Sequence, residues 1–400
     1  MKICLMNSFY EPPIKGGAEV YTQELAEELS KYHEVLFIAT SPYSWRSGLT
    51  GRMEENRPIK VVSFSLLNLY HGYHNPQKPV WMRLLWNIVN TWNPHSYTVV
   101  RNILKREKPD IVHSHCLRVL SPSVVSAIDS LGIPHVHSLH NYELISPWGN
   151  LLRRDMLIEK PGALDMPYLR LMRFFTRNTR AVIGPIHFIL DFHTKHGFFK
   201  KARTCVIPWG RKLSSGQDND KDFSTIDLLF VGEISKIKGV HILLDAFATL
   251  NETNLRLHIV GQGPLAKQVS ERTLRDERIR YHGYLAQRDS LMELYSKANL
   301  LVIPSMWFEN LPSVAIEALS AGTPIVSSAI GGMSEVIEDG YNGFLFKPGD
   351  MDDLSRTFKR ALSDVELLKK LGENAKQNAQ KYNMDSHIES LLKVYEEALR

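Results

Sequence analysis

Residues 305–332 read SMWFENLPSVAIEALSAGTPIVSSAIGG, and this stretch decides the fold. The apolar run at 300–303, just ahead of it, predicts a strand buried in a parallel sheet. Pro312 suits the first turn of a helix, where its missing N–H is not needed. The helix should run to 319 or 320 and stop at Gly322, with Pro324 just beyond. Residues 325–327 then read as the next strand. Strand, helix and strand in this order predict an α/β domain with right-handed crossovers.

The stretch carries two glutamates, Glu309 and Glu317, with seven residues between them. Glu309 falls on the loop before the helix, and Glu317 lies roughly 7–8 Å along the helix axis from Pro312. Between them come Asn310, Leu311, Pro312 and Ser313, where a helix start offers free N–H groups and the positive end of its dipole to an anion. A carboxylate, an anion seat and a second carboxylate follow one another. A sugar nucleotide has the matching order of sugar hydroxyls, diphosphate and ribose diol, and carboxylates accept hydrogen bonds from vicinal hydroxyls. The spacing alone fits equally a surface loop and an amphipathic helix bearing two solvated glutamates.

The surroundings separate these readings. Glu-x7-Glu stands between a buried strand and a Gly-Thr-Pro helix stop. Gly-Gly-Met-Ser-Glu-Val-Ile and Gly-Tyr-Asn-Gly-Phe-Leu-Phe-Lys-Pro-Gly-Asp follow. This context resembles the retaining glycosyltransferases of family 4, in the variant written Glu-Asn-Leu-Pro. The resemblance implies the α/β GT-B fold: two Rossmann-like domains whose parallel sheets face an interdomain cleft. It also implies that Glu309 orients the donor sugar, that Glu317 holds the ribose, and that the helix start at 310–313 takes the diphosphate.

Length and composition are consistent with this. A chain of 400 residues predicts two domains. A net charge of +5 favours anionic substrates or an anionic membrane surface, and is too small to argue for nucleic acid. Cys4, Cys116 and Cys205 are scattered and form no Cys-x-x-Cys pair, which points to a reducing compartment; the resemblance implies the cytoplasm, at the inner face of a membrane. The opening Met-Lys-Ile-Cys-Leu-Met-Asn is too short an apolar run for a signal peptide. No stretch approaches the ~20 apolar residues of a membrane span.

The first half opens with a strand at 3–6, a loop carrying Gly16 and Gly17, a helix at 19–30 and a strand at 35–39. Glycines at the carboxyl end of a first strand let backbone approach a ligand. Pro-Pro-x-x-Gly-Gly-Ala-Glu resembles the first loop of the same family, which implies that Gly16 and Gly17 approach the donor diphosphate. Strands at 59–64, 110–114 and 134–139 follow, with helices at 81–106, interrupted near Pro94, and at 122–130. The pattern Trp81, Leu84, Leu85, Ile88 reads as core rather than membrane anchor. His113, His115, His135, His137 and His140 fall on or after two strands. They could suggest a metal site, but alternating strand residues point to opposite faces, so the five cannot all converge. His140 sits just past a strand end; it is either a satisfied structural histidine or, as the resemblance implies, a group beside the donor sugar. At 166–177 apolar residues recur at helical spacing with Arg170, Arg173 and Arg177 between them. With Arg153, Arg154 and Arg180 nearby, this reads as a solvated basic face, or as a seat for anionic lipid or an acceptor phosphate.

Strands at 181–184 and 205–207 lead to the polar stretch 211–224, the best domain boundary. The predicted domains are 1–208, joined by a C-terminal helix at 384–400 that crosses back, and 209–383. The second domain has strands at 228–231, 255–260 and 278–282. The loops at their ends carry Lys238, Gly261 with Gly263, and Tyr284, all at one edge of the sheet. Lys238 resembles the lysine of the family's Gly-Arg-x-x-x-x-Lys-Gly motif, which implies a role at the leaving diphosphate; Tyr284 would lie along the base. The arginine position holds Glu233, which would repel phosphates, so Lys236 or the helix start must supply further positive charge. Asp350-Met351-Asp352 resembles a metal signature but follows Pro-Gly at a helix start, where a capping role fits better. The expectation is therefore metal-independent transfer with no cofactor. The resemblance implies that a UDP-, GDP- or ADP-sugar donates to a glycan or lipid-linked hydroxyl with retention, in cell-surface polysaccharide or lipopolysaccharide assembly. A GT-B sugar-nucleotide epimerase and a non-catalytic nucleotide-binding relative are the rivals.

Overall fold

The computed structural model describes residues 1–10, 16–43, 48–54, 58–153, 156–158, 160–212 and 221–400. They divide into two units. One holds Met1–Leu151, Ile158–Gly210 and Asp385–Arg400; the other holds Leu152–Leu157 and Arg211–Met384. Of the polar stretch expected between domains, 213–220 lies outside the described residues.

In the first unit the strands are β1 (Lys2–Met6), β2 (Glu34–Thr40), β3 (Arg52–Glu54), β4 (Ile59–Phe64), β5 (Ile111–Ser114) and β6 (His135–Ser138). A short hairpin, β7 (Leu152–Arg153) with β8 (Met156–Leu157), falls to the other unit. Then come β9 (Ala181–Gly184) and β10 (Arg203–Val206). The sheet order is β10-β9-β6-β5-β1-β2-β4-β3, parallel except for β3 on β4. Helices cover it as the crossovers of a parallel sheet must, and β1, β5, β6 and β9 are buried accordingly. The edge strand β3, antiparallel and only three residues long, has no counterpart in the sequence reading.

The second unit carries β11 (Ile226–Val231), β12 (Leu255–Val260), β13 (Ile279–Gly283), β14 (Leu300–Ile303), β15 (Ile325–Ser328) and β16 (Gly343–Phe346). All pair in parallel in the order β13-β12-β11-β14-β15-β16. This is the doubly wound order, with its reversal between β11 and β14. Leu228, Phe230, Leu257, Ile259, Leu300 and Val302 form the centre of its core.

One expectation is corrected. The helix Val80–Thr91 does not bury Trp81, Leu84, Leu85 and Ile88; all four are exposed, Trp81 at 63% and Ile88 at 70%. Its docked side is Trp86, Asn87 and Asn90. The Trp86 indole N–H donates to the Tyr70 carbonyl at 2.8 Å, and the Asn90 amide donates to the Arg118 carbonyl. Hydrogen bonds to distant backbone seat this helix, and its apolar stripe is left outside. The helix Met166–Phe175 behaves the other way: Leu169, Met172 and Phe175 are buried and Arg170 is exposed. Arg177 lies over the Phe174 ring at 3.6 Å. The side chains of Arg153 and Arg154 lie outside the described residues.

The last helix, Met384–Leu399, packs into the first unit. Its His387 Nδ1–H donates to the Pro208 carbonyl at 2.7 Å, which leaves Nε2 to accept from the Tyr21 hydroxyl at 2.7 Å. No helix is long and apolar enough to cross a membrane among the described residues.

Candidate functional site

Parallel strands end at one edge, and the two strands flanking the reversal leave a crevice there because their crossovers go to opposite faces. In the second unit those strands are β11 and β14. The loop after β11 carries Lys238 and the loop after β14 carries Glu309. The two loops are clamped: the Met306 N–H donates to the Ile237 carbonyl at 2.8 Å. Gly239 sits at φ 72°, and a Cβ there would stand 1.8 Å from the Pro304 carbonyl oxygen, so only glycine lets the loops approach this closely.

The clamp brings Lys238 Nζ to 2.6 Å from Glu309 Oε1. The Ser305 hydroxyl donates to the same oxygen at 2.6 Å. Lys238 also lies 5.0 Å from the Trp307 ring centroid, a cation–π contact. Glu309 is 4% exposed, and its carbonyl accepts the Gly332 N–H at 2.6 Å. Gly331, at φ 61°, makes room for that turn: a Cβ there would stand 2.3 Å from the Glu309 carbonyl oxygen. A buried carboxylate normally has a partner; here a lysine and a hydroxyl fix one of its oxygens. The sequence reading missed Ser305 and Trp307. The only local signal was their place in the same loop, four and two residues before Glu309.

Directly after this loop the helix Ser313–Ser320 begins, with Pro312 as its N-cap and no side chain capping it. Asn310 is half-buried and Leu311 is buried. Glu317, half-buried, faces Tyr295: burial first, and then the Glu317 carboxylate, push the Tyr295 phenol well above its ordinary range. The helix stops at Gly322, at φ 67°.

Gly261 and Gly263 have a packing duty of their own. A Cβ on Gly261 would stand 1.8 Å from the Gly232 carbonyl oxygen, and one on Gly263 2.5 Å from the Ile234 carbonyl oxygen. The Ile234 N–H donates to the Gln262 carbonyl at 2.9 Å, and the Ile234 carbonyl accepts from the Leu265 N–H at 2.9 Å. These glycines therefore hold the Lys238 loop against its neighbour. Glu233 is exposed and accepts from the Ser235 hydroxyl at 3.4 Å. Lys236 is exposed too, and its charge reaches the His241 imidazole. Tyr284, past the end of β13, is 67% exposed. Asp350 accepts the Asp353 N–H at 3.0 Å and so caps the helix Met351–Ala361. Among the described residues no group of three or more His, Cys, Asp or Glu is placed to hold a metal ion.

In the first unit the strand order reverses between β1 and β5. Gly16 is the N-cap of the helix Gly17–Leu29, and residues 11–15 lie outside the described ones. The histidines lie on two faces: alternation keeps His113 with His115 and His135 with His137, and the register of β5 on β6, which pairs His113 with Val136, sets the two pairs on opposite sides. His113 is held by the Tyr395 hydroxyl at 2.6 Å and the Ser138 hydroxyl at 2.7 Å. On the other face, His135 and His137 share the Ser114 hydroxyl at 2.7 and 2.8 Å. His115 Nδ1 and His140 Nε2 are 2.9 Å apart, so one of them donates to the other. The His140 ring stacks on Trp209 with centroids 4.4 Å apart and planes 11° from parallel. Burial lowers all five imidazoles and holds His135 and His140 to about 3. Nearby Glu143 accepts the Leu117 and Arg118 N–H groups at 2.6 and 3.2 Å, yet burial pushes it up to about 7.

Residues 215–378 match the family described as glycosyl transferases group 1, and residues 15–214 match glycosyltransferase family 4. The D-inositol 3-phosphate glycosyltransferase of Streptomyces griseus is 32% identical over 96% of this chain and 85% of its own. Among solved structures, Anabaena HepE in complex with UDP is similar with a TM-score of 0.72 at 20% identity, covering 98% of this chain and 99% of that one. The lipopolysaccharide outer core galactosyltransferase WaaB, in its apo form, is similar with a TM-score of 0.66 at 18% identity, covering 98% and 99%.

Proposed function

We propose, for a chain that belongs to the glycosyltransferases of group 1 and family 4, that it moves a sugar from a nucleotide-sugar donor to a hydroxyl and keeps the anomeric configuration. The observation that carries this reading is the Lys238–Glu309 pair at the reversal point of the second sheet, directly ahead of a helix start. In glycosyl transfer the sugar gains oxocarbenium character while negative charge grows on the departing diphosphate. Fixed positive charge at the leaving group lowers that barrier most. Lys238 supplies it, with the helix start at Asn310, Leu311, Pro312 and Ser313 beside it. Contact with the Glu309 carboxylate keeps the ammonium in place before the donor arrives, so little reorganisation is left for the reaction.

Glu309 orients the sugar hydroxyls and Glu317 the ribose. Gly261, Gly263 and Tyr284 complete the donor side. Gly16, Gly17 and His140 are assigned to the donor by resemblance. Burial keeps His140 uncharged at neutral pH, so it serves as a hydrogen-bonding group and not as a charged acid. No side chain is assigned as a covalent nucleophile, and front-face departure and attack follow. No metal or other cofactor is assigned; the Asp350 carboxylate is engaged as a helix cap. UDP-, GDP- and ADP-sugars are the candidate donors, and UDP is supported by its presence in the similar HepE structure. The acceptor is a glycan or a lipid-linked glycan made at the cytoplasmic face of a membrane, as in polysaccharide or lipopolysaccharide assembly. The similarity to WaaB supports this reading.

The test is protection against thermal unfolding by UDP-, GDP- and ADP-sugars, followed by product analysis with and without acceptor. Epimerisation of the donor alone, or protection without any transfer or hydrolysis, overturns the transferase reading. Lys238→Ala is expected to lower turnover more than donor affinity, the sign of a contact that strengthens in the transition state. Equal loss in both would make Lys238 a binding residue only.

A further inference from the structure

We infer that the helix Val80–Thr91 lies in the surface of an anionic lipid bilayer, with its apolar face inserted and its axis in the membrane plane. The face is formed by Trp81, Leu84, Leu85, Ile88, Val89 and Trp92, all exposed. At 3.6 residues per turn, Trp81, Leu84, Leu85, Ile88 and Trp92 fall within an arc of about 100°, and Val89 extends it. Trp86, Asn87 and Asn90 occupy the opposite side and are buried. The helix thus spends its polar side on the protein and offers its apolar side outward, the reverse of a helix that covers a core. Leu67 and Leu69, exposed at 51% and 54%, flank Asn68, whose amide donates to the Trp86 carbonyl at 3.3 Å. They add apolar surface beside the helix.

An apolar face of this size requires a cover, and three features select lipid. Trp81 and Trp92 stand near its two ends, and indole rings favour the boundary between headgroups and acyl chains. No acidic residue occurs between Glu55 and Glu107, while seven basic ones do, of which Lys60 and Arg106 are paired with Glu107. An anionic surface attracts such a segment and repels carboxylates. Lys78 precedes the helix, and Arg83 turns to its protein side, 5.1 Å over the Trp148 ring, so no charge interrupts the inserted arc. The helix is 12 residues long, too short to span, and among the described residues no helix is fit to span, so it lies on the membrane rather than crossing it.

This names the membrane element that the reading of a membrane-borne acceptor calls for and rests on that reading only for its purpose. The test is co-sedimentation of the full chain with vesicles of phosphatidylcholine, with and without phosphatidylglycerol. Wild type should bind the anionic vesicles, less so at high salt, and lipids brominated along their acyl chains should quench its tryptophan fluorescence. The double variant Trp81→Ser with Ile88→Ser should bind them on the order of tenfold or more weakly. Both positions are mostly exposed, so its unfolding temperature should match wild type. Wild type left in the supernatant without quenching, or a variant that binds as well, overturns the inference. So does a lipid-free dimer that the variant dissolves, since a second copy would then cover the face. Sugar nucleotides protect against unfolding whether or not vesicles bind, so failure here and failure of the transferase reading are read separately.

Discussion

Lowering the pH from about 7 to about 5.5 should loosen the first unit selectively, because its core holds histidines that cannot accept a proton without unfolding. His113, His115, His135 and His137 are all at most 2% exposed, and burial holds each imidazole below its ordinary value. In the unfolded chain they titrate near 6.5. The unfolded state therefore binds more protons below that pH. The stability these groups contribute is complete above 6.5 and falls as pH drops toward the folded values, about 3 for His135. Each loses roughly 1.2 kcal/mol over the interval, and the four together roughly 5 kcal/mol.

Glu143 works in the opposite direction. Its folded pKa is raised to about 7 from 4.5, so it takes up its proton in the folded state across this same window. That offsets roughly 1.5 kcal/mol. From these five groups a net loss of roughly 3–4 kcal/mol remains, a large part of the ~5–15 kcal/mol that stabilises a domain, and His140, His193 and His387, lowered by burial in the same unit, add to it. The chain has two units, so one global unfolding free energy is not defined, and hydrogen exchange resolved by peptide is the suitable assay. Peptides from β5 and β6 should lose protection at the lower pH, after correction for intrinsic exchange rates. Peptides from β11 and β14 should change little, since in that unit His241 and His258 are only partly buried and His282 is exposed. Equal protection of β5 and β6 at both pH values refutes the reasoning, and so does an equal loss in both units.

Two further substitutions probe the frame around the candidate site. Gly239→Ala meets both a left-handed backbone and the Pro304 carbonyl at 1.8 Å, so it should destabilise the second unit by more than about 3 kcal/mol in urea unfolding; a change under about 1 kcal/mol would show that the two loops can part without loss. Asp350→Ala removes a helix cap and should lower stability by about 1 kcal/mol, with nucleotide protection unchanged. Loss of that protection on adding a chelator to wild type would instead assign Asp350 to a metal.

Most of the frame was legible because its signals are local. β14 falls on residues 300–303 as the apolar run predicts, and the following helix ends where Gly322 and Pro324 stop it. The separation of the histidines onto two faces was not legible in the same way, since alternation keeps residues two apart together and only the β5–β6 register, His113 against Val136, parts the two pairs. The errors share one physical origin. A helical period shows that residues 80–91 are amphipathic, but not which side docks; that is decided by the Tyr70 and Arg118 carbonyls, 16 and 28 residues from their donors. The duty of Gly261 and Gly263 toward Gly232 and Ile234 was hidden for the same reason.

The Lys238–Glu309 contact joins residues 71 apart in sequence, and nothing near either one announces the other. What brings them together is topology. The chain builds β11, β12 and β13 outward, then returns to lay β14 against β11, so the loops leaving the first and fourth strands must meet. Any lysine and glutamate at those two strand ends would come within reach. The glycines at 239 and 331, which let backbone close on backbone, turn that reach into a fixed 2.6 Å contact. Positioning at this site is therefore a property of the strand order and two backbone turns more than of the charged pair itself. Conservative changes at 238 or 309 should then disturb chemistry and leave the fold intact, whereas a single methyl group at 239 should disturb both.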